Sequence, residues 1–204
     1  WSADVCSSDL GQSGKMAFNC PEIPFKVDPL DAGQRTQAYI EGRKMIKRLI
    51  AFTRKYFPGF EGAQLASQAE LLGVRESRRI KGEYTFSLED YQQRRKFEDA
   101  VASSAYPLDV HGKELELDRL ESGEYYQLPY RSLIPQKITN LLAAGRHISA
   151  TFSGQSAVRI QPVVMAAGEA AAIAVSIAVK ENKTLKEIRG REVKKIMLQW
   201  GADI

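Results

Sequence analysis

The sequence predicts an α/β chain, α+β over the residues present, on three observations. A 3.6-residue apolar repeat follows Asp31. Short apolar runs punctuated by glycine and proline fill the middle of the chain. An alanine-rich apolar run, Val163–Val179, lies towards the C-terminus. At 204 residues there is room for one or two domains and a sizeable core. Hydrophobic residues at 44% and charged residues at 26% match a soluble globular protein. The net charge of +4 comes from cations interleaved with acids, a surface that could attract an anionic ligand but is weak evidence for nucleic acid. No nucleic-acid partner is therefore expected, with nucleic-acid binding through Arg75, Arg78, Arg79 and Lys81 as the lesser alternative. Two cysteines, Cys6 and Cys20, are too few for a disulfide framework or a zinc site, so a reducing, cytoplasmic setting is expected.

The elements follow in order. Trp1–Leu10 has no basic start and no apolar run, so it is not a signal peptide. The string resembles translated sequencing-adapter sequence of metagenomic reading frames, and residues 1–10 are expected to be non-native or disordered. Residues 15–30, with Pro21, Pro24 and Pro29, read as an extended entry segment. Asp31 opens a helix to about Tyr56, with Tyr39, Ile46, Leu49, Ile50 and Phe57 apolar and a solvated basic face, and Pro58-Gly59 stops it. Residues 62–84 read as short strands separated by Gly73 and Gly82. Ser87-Leu88-Glu89-Asp90 is a capping box for a short helix. Residues 97–108 read as a strand whose small residues favour close backbone approach. Residues 111–123 read as a hairpin or loop, and Tyr125–Leu128 as a strand broken by Pro129. Ile138–Ala144 reads as a buried strand with a sharp exit at Gly145, and Ser149–Ser156 as a polar loop. Val163–Val179, apolar almost all round with Glu169 as its one charge, predicts a buried helix rather than a membrane span. Thr184-Leu185-Lys186-Glu187 is a second capping box, opening the last helical region.

Most catalytic signatures are absent. No glycines are spaced as G-x-G, so the chain holds no dinucleotide fingerprint and no phosphate-cradling loop. With only His111 and His147, and no H-x-x-x-H or C-x-x-C, no metal site is expected. Five polar clusters remain. Gly73–Ile80 carries Arg75, Arg78 and Arg79 with Glu76; its chemistry leaves open an anion clamp or a structural ion pair. Tyr106–His111 is the second. Tyr125–Ser132 sets Tyr130 beside Arg131, either a platform for a planar ligand or core tyrosines. The fourth, Thr139–Ser149, ends in Gly145-Arg146-His147-Ile148-Ser149. The fifth, Arg159-Ile160-Gln161-Pro162, precedes the alanine-rich helix, whose exposed first-turn amides favour an electron-rich ligand atom.

The matching stretches are G-V-R-E-S-R-R-I-K-G-E-Y, A-Y-P-L-D-V-H, Y-Y-Q-L-P-Y-R-S-L-I-P, N-L-L-A-A-G-R-H-I-S-A-T and R-I-Q-P-V-V-M-A-A-G-E-A-A. In this order and approximate spacing they resemble the bacterial FAD-dependent oxidoreductase family, over about Asp31 to Glu192. The resemblance implies the C-terminal part of a FAD/NAD(P)-binding flavoprotein fold with a mixed substrate-side sheet. The N-terminal Rossmann unit, which binds the ADP part of FAD, is expected to be a missing segment of the same protein. Residues 11–135 would form the substrate-side helix and sheet, and residues 136–204 the returning strand and C-terminal helices. FAD is the implied cofactor. Gly145, Arg146, Ile148, Ser149, Arg159, Gln161 and Pro162 are the implied cofactor-binding residues, and Arg75, Arg78, His111, Tyr130 and Arg131 those facing a small-molecule substrate. The full-length enzyme would take hydride or electrons from that substrate, and the isolated chain is expected to be inactive. The alternative is a non-catalytic binding module derived from a flavoprotein. Family members often carry Cys at the position of His147 and His-Glu at Phe152-Ser153. Phe152 cannot transfer protons; His147 reads either as a replacement for that histidine or as a core or supporting one.

Overall fold

The computed structural model describes residues 7–9, 14–109 and 120–204. The chain divides after Ser77 into two units, taken separately below.

In the first unit, β1 (Ser7–Asp9) pairs antiparallel with β2 (Met16–Phe18), Ser8 opposite Ala17. Helix α1 (Ala32–Tyr56) begins where the sequence predicts. Asp31 is extended, and its carboxylate accepts from Gln34 N at 2.8 Å. The helix closes with Phe57 N donating to Thr53 O, and Gly59 turns the chain at φ +88°. Only Ala38 and Thr53 of α1 are buried; its apolar edge lines an open groove of about 1620 Å³ with Phe18, Cys20 and Phe60. The strands expected over residues 62–84 do not form. From 62 to 77 the backbone turns locally, as in Val74 N to Leu72 O, or meets a side chain, Leu72 N to Tyr39 Oη at 2.9 Å. A strand needs a neighbouring ladder, and apolar residues alone do not supply one.

In the second unit, residues 80–86 cross the fold on single backbone bonds: Ile80 N to His147 O, Glu83 N to Ile134 O and Phe86 N to Ser149 O. Helix α2 (Leu88–Gln92) starts with the predicted capping box. The Asp90 carboxylate, almost fully buried, accepts from Ser87 N, the Tyr84 hydroxyl at 2.6 Å and the Arg95 guanidinium at 2.6 Å. The strand expected over 97–108 shortens to β3 (Ala100–Ser104). It pairs antiparallel with β4 (Tyr126–Pro129), with a register shift between Ala100 and Ala102. The described sheets are thus two-stranded and antiparallel rather than one mixed sheet; the parallel element is the single bridge Phe86–Ala150. A 3-10 turn at 130–133 leaves β4.

Ile138–Ala144, expected as a buried strand, is irregular. Ile138 and Leu141 are exposed; among the described residues the segment's backbone is held by Ala143 N to Leu133 O in the core and by Lys186 N to Thr139 O at the surface. Ser149–Ser156, expected as a loop, is largely helix: α3 (Phe152–Val158) starts at Thr151, whose Oγ1 accepts from Gly154 N. Helix α4 (Gln161–Glu181) begins with Pro162 in its first turn and ends at Asn182, left-handed at φ +52°. It is not buried all round. Val163, Ala167, Ala170, Ala174 and Ile177, three or four apart, face the core, while Met165 and Val179 are 72% and 78% exposed. By length and composition α4 meets the requirement for a membrane span, and one face of it lines the core. The second capping box at Thr184 closes a 3-10 turn before α5 (Gly190–Gln199). Both α4 and α5 pack on β3, whose Ala100 and Ala102 let them come close.

Two core tyrosines give a pH test. Burial raises the hydroxyl pKa of Tyr126 and Tyr130 well above the usual 10.0. In the unfolded chain both would lose protons near that value, whereas folded they keep them. Above pH 10 the unfolded state therefore binds fewer protons. Stability is indifferent to these groups below about pH 10 and falls as pH rises beyond it, by up to about 1.4 kcal/mol per pH unit for each tyrosine. Urea midpoints between pH 8 and 11 should show this fall, and Tyr126→Phe or Tyr130→Phe should each flatten it. An unchanged slope in both variants would contradict the assignment.

Candidate functional site

The polar clusters of the second unit meet at two corners of backbone. At the first, Gly145 takes φ +111°, a conformation that side-chain-bearing residues rarely adopt, and Ile148 N returns to Gly145 O. A Cβ at Gly145 would meet only the His147 ring, at 3.6 Å, so the face of this turn is open. Arg146 and His147 are exposed, and Ile148 and Ser149 are buried. Ile80 N holds His147 O at 2.9 Å, and Ser149 N donates to Ser132 O at 3.0 Å, so the turn stands on a fixed base. Of the two readings of His147, a core histidine is corrected: its side chain lies at the surface.

The second corner joins α3 to α4. Arg159 caps α3 at its C-terminal end, and Ile160 is the N-cap of α4. No side chain caps α4 and no acid lies in its first turn; Gln161 and Pro162 are exposed there. A helix of this length carries roughly half a positive charge at such an end. The Arg159 side chain, 11% exposed, donates through Nη2 to Asp109 O and Asp109 Oδ2, both at 2.8 Å. The second and fifth clusters of the sequence thus become one ion pair. Tyr126 adds to this corner: its hydroxyl lies 2.8 Å from Ala157 O and 2.9 Å from Tyr106 O, sharing its proton with carbonyls of α3 and of the second cluster.

Gln155, on α3 and fully buried, links the two corners. Its Nε2 donates to Arg146 O at 3.2 Å, and its Oε1 accepts from Arg159 Nη1 at 3.4 Å. Sequence reasoning missed it, because a lone glutamine in a polar stretch carries no signal until the stretch is known to be helical. Its spacing of four from Arg159 is then the cue.

The other expected site residues fall elsewhere. Arg131 makes a two-pronged pair with Asp99, Nε to Oδ2 at 2.9 Å and Nη2 to Oδ1 at 3.2 Å, and lies over the Tyr84 ring. Tyr130 is fully buried; among the described residues its hydroxyl and Ser132 Oγ have no hydrogen-bond partner. Arg75 belongs to the first unit, with Glu22 at 3.9 Å. Arg78 is exposed, two residues before Ile80. His111 lies outside the described residues. No cluster of metal-ligating side chains occurs among the described residues.

No curated protein and no solved structure matches the chain. The family described as FAD dependent oxidoreductase matches residues 4–197. The chain belongs to the FAD dependent oxidoreductase family. Family membership gives a general flavin oxidoreductase function, with FAD as the family's cofactor. The chemistry of the two corners is compatible with such a group. They offer hydrogen-bond donors, an exposed guanidinium and first-turn amides, beside a glycine whose backbone is open to close approach. Donors of that kind suit ring carbonyls and ribityl hydroxyls. Phe152, 59% exposed at the first turn of α3, brings no proton-transfer group to them.

Proposed function

We propose that this chain supplies the ring and ribityl end of the FAD site of an oxidoreductase that takes hydride or electrons from a small organic substrate. The observation that carries the reading is the linked pair of corners: an open Gly145 turn with Arg146 exposed, tied through Gln155 to Arg159 at an uncapped helix start. Bound flavin supplies the redox chemistry. The chain's own part is to hold and orient. The Gly145 backbone permits approach, Arg146 and the first turn of α4 favour electron-rich atoms, and Ile148 and Ser149 anchor the turn to the core. Arg78, two residues before Ile80, whose N donates to His147 O, is an exposed cation available to an anionic substrate.

Contacts confined to ring and ribityl predict that riboflavin, FMN and FAD bind this chain weakly and alike. Fluorescence titration should place the three dissociation constants within about fourfold, under about 1 kcal/mol apart. No riboflavin binding, or FAD binding far tighter than riboflavin, would overturn the reading.

A further inference from the structure

We propose that Gln155 is a positioning residue that sets the Gly145–His147 turn relative to Arg159, and so fixes the two halves of the site as one unit. The inference rests on the flavin reading above but is carried by separate geometry. Gln155 is fully buried, so both ends of its carboxamide must be satisfied. Its orientation is forced: a carbonyl can only accept, so Nε2 faces Arg146 O, and a guanidinium can only donate, so Oε1 faces Arg159 Nη1. The carboxamide carries this donor and this acceptor on one rigid plane. Glutamate keeps the acceptor for Arg159 but turns an oxygen towards the Arg146 carbonyl. Leucine loses both bonds. The outer sides of the two corners are already held, His147 O by Ile80 N and Arg159 by Asp109. Gln155 therefore links their inner sides.

The test compares Gln155→Glu and Gln155→Leu with Ser156→Ala. Ser156 is the next residue of α3, buried, and its hydroxyl donates to Ser153 O, away from the turn. Ser156→Ala thus alters a buried hydrogen bond of the same helix without touching the link. Amide hydrogen exchange is followed over residues 145–148, and riboflavin binding by fluorescence. Both Gln155 variants should speed exchange of the turn amides by about tenfold and weaken riboflavin by a similar factor, with Ser156→Ala near wild type in both. If Gln155→Leu does not fold, Gln155→Glu decides alone. Wild-type exchange rates at the turn in Gln155→Glu would overturn the proposal, as would equal loss of riboflavin binding in Ser156→Ala. If the wild-type chain binds no riboflavin, the flavin reading falls, and the exchange data still decide whether Gln155 joins the corners.

Discussion

Replacing Gly154 by alanine is expected to destabilise the second unit by about 3 kcal/mol, the upper end of typical overpacking costs. A Cβ there would stand 2.4 Å from Phe86 O, 3.0 Å from Phe86 C and 3.1 Å from Phe86 Cδ1. Two of these atoms are backbone, and that backbone is pinned: Phe86 O accepts from Thr151 N at 2.8 Å, and Phe86 N donates to Ser149 O. The Phe86 ring is fully buried, so it cannot swing aside. The intrinsic helix preference of alanine works the other way, by about 1 kcal/mol, and is too small to offset the clash. Gly168→Ala isolates that opposing effect. It lies in α4 with nothing within 4 Å of an added Cβ, so it should stabilise by up to about 1 kcal/mol. Urea unfolding of the two variants should move in opposite directions. A neutral or stabilising Gly154→Ala would mean that α3 does not sit on Phe86.

What the sequence reveals of this fold is what four or five neighbouring residues decide. Asp31, the Ser87 box, Pro162 and the Thr184 box each mark a helix or turn start, because a cap acts within its own first turn. Strands depend on partners. Ile138–Ala144 has the apolar content of a strand, yet only Ala143 finds a backbone partner in the core. α3 fails in the other direction. Its sequence FSGQSAV is poor in helix formers, and it is made by context: Thr151 caps it, and residues 154–158 are all buried. α4 shows a third limit. A run of alanine and valine reads as buried on every side, but only the contacts of the fold reveal that one face is covered and Met165 and Val179 are not.

The site divides in the same way. Gly145 as a sharp exit and Pro162 in a helix first turn were readable from local chemistry, and both hold. The aromatic and cationic clusters were readable as clusters but not in their partners. Arg131 meets Asp99, thirty-two residues away, and Arg159 meets Asp109, fifty away. Pairings of that separation leave no mark in sequence spacing. Gln155 was invisible until α3 was seen, since only a helix places residues four apart on one side.

Arg159 is the second residue whose loss should be large. Its guanidinium serves three acceptors, Asp109 O, Asp109 Oδ2 and Gln155 Oε1, from a position only 11% exposed. Arg159→Leu leaves all three without that donor, among them a carboxylate that is 32% exposed. The expected loss is about 2–4 kcal/mol, slightly under that of breaking a fully buried pair because Asp109 still reaches water. Arg159→Lys should recover only part of it, since an ammonium lacks the planar fork that meets a carbonyl and a carboxylate together. Asp109→Asn keeps an acceptor and should cost less, about 1 kcal/mol. Because the two side chains are paired, the double variant Arg159→Leu/Asp109→Asn should fall short of the sum of the singles by about 1 kcal/mol, the whole cost of Asp109→Asn. Strict additivity in urea unfolding would show that the two side chains do not act together. The same series reads the site: riboflavin binding should follow Arg159 more closely than Asp109, because Arg159 stands at the start of α4 and holds Gln155, whereas Asp109 acts on the site by holding Arg159.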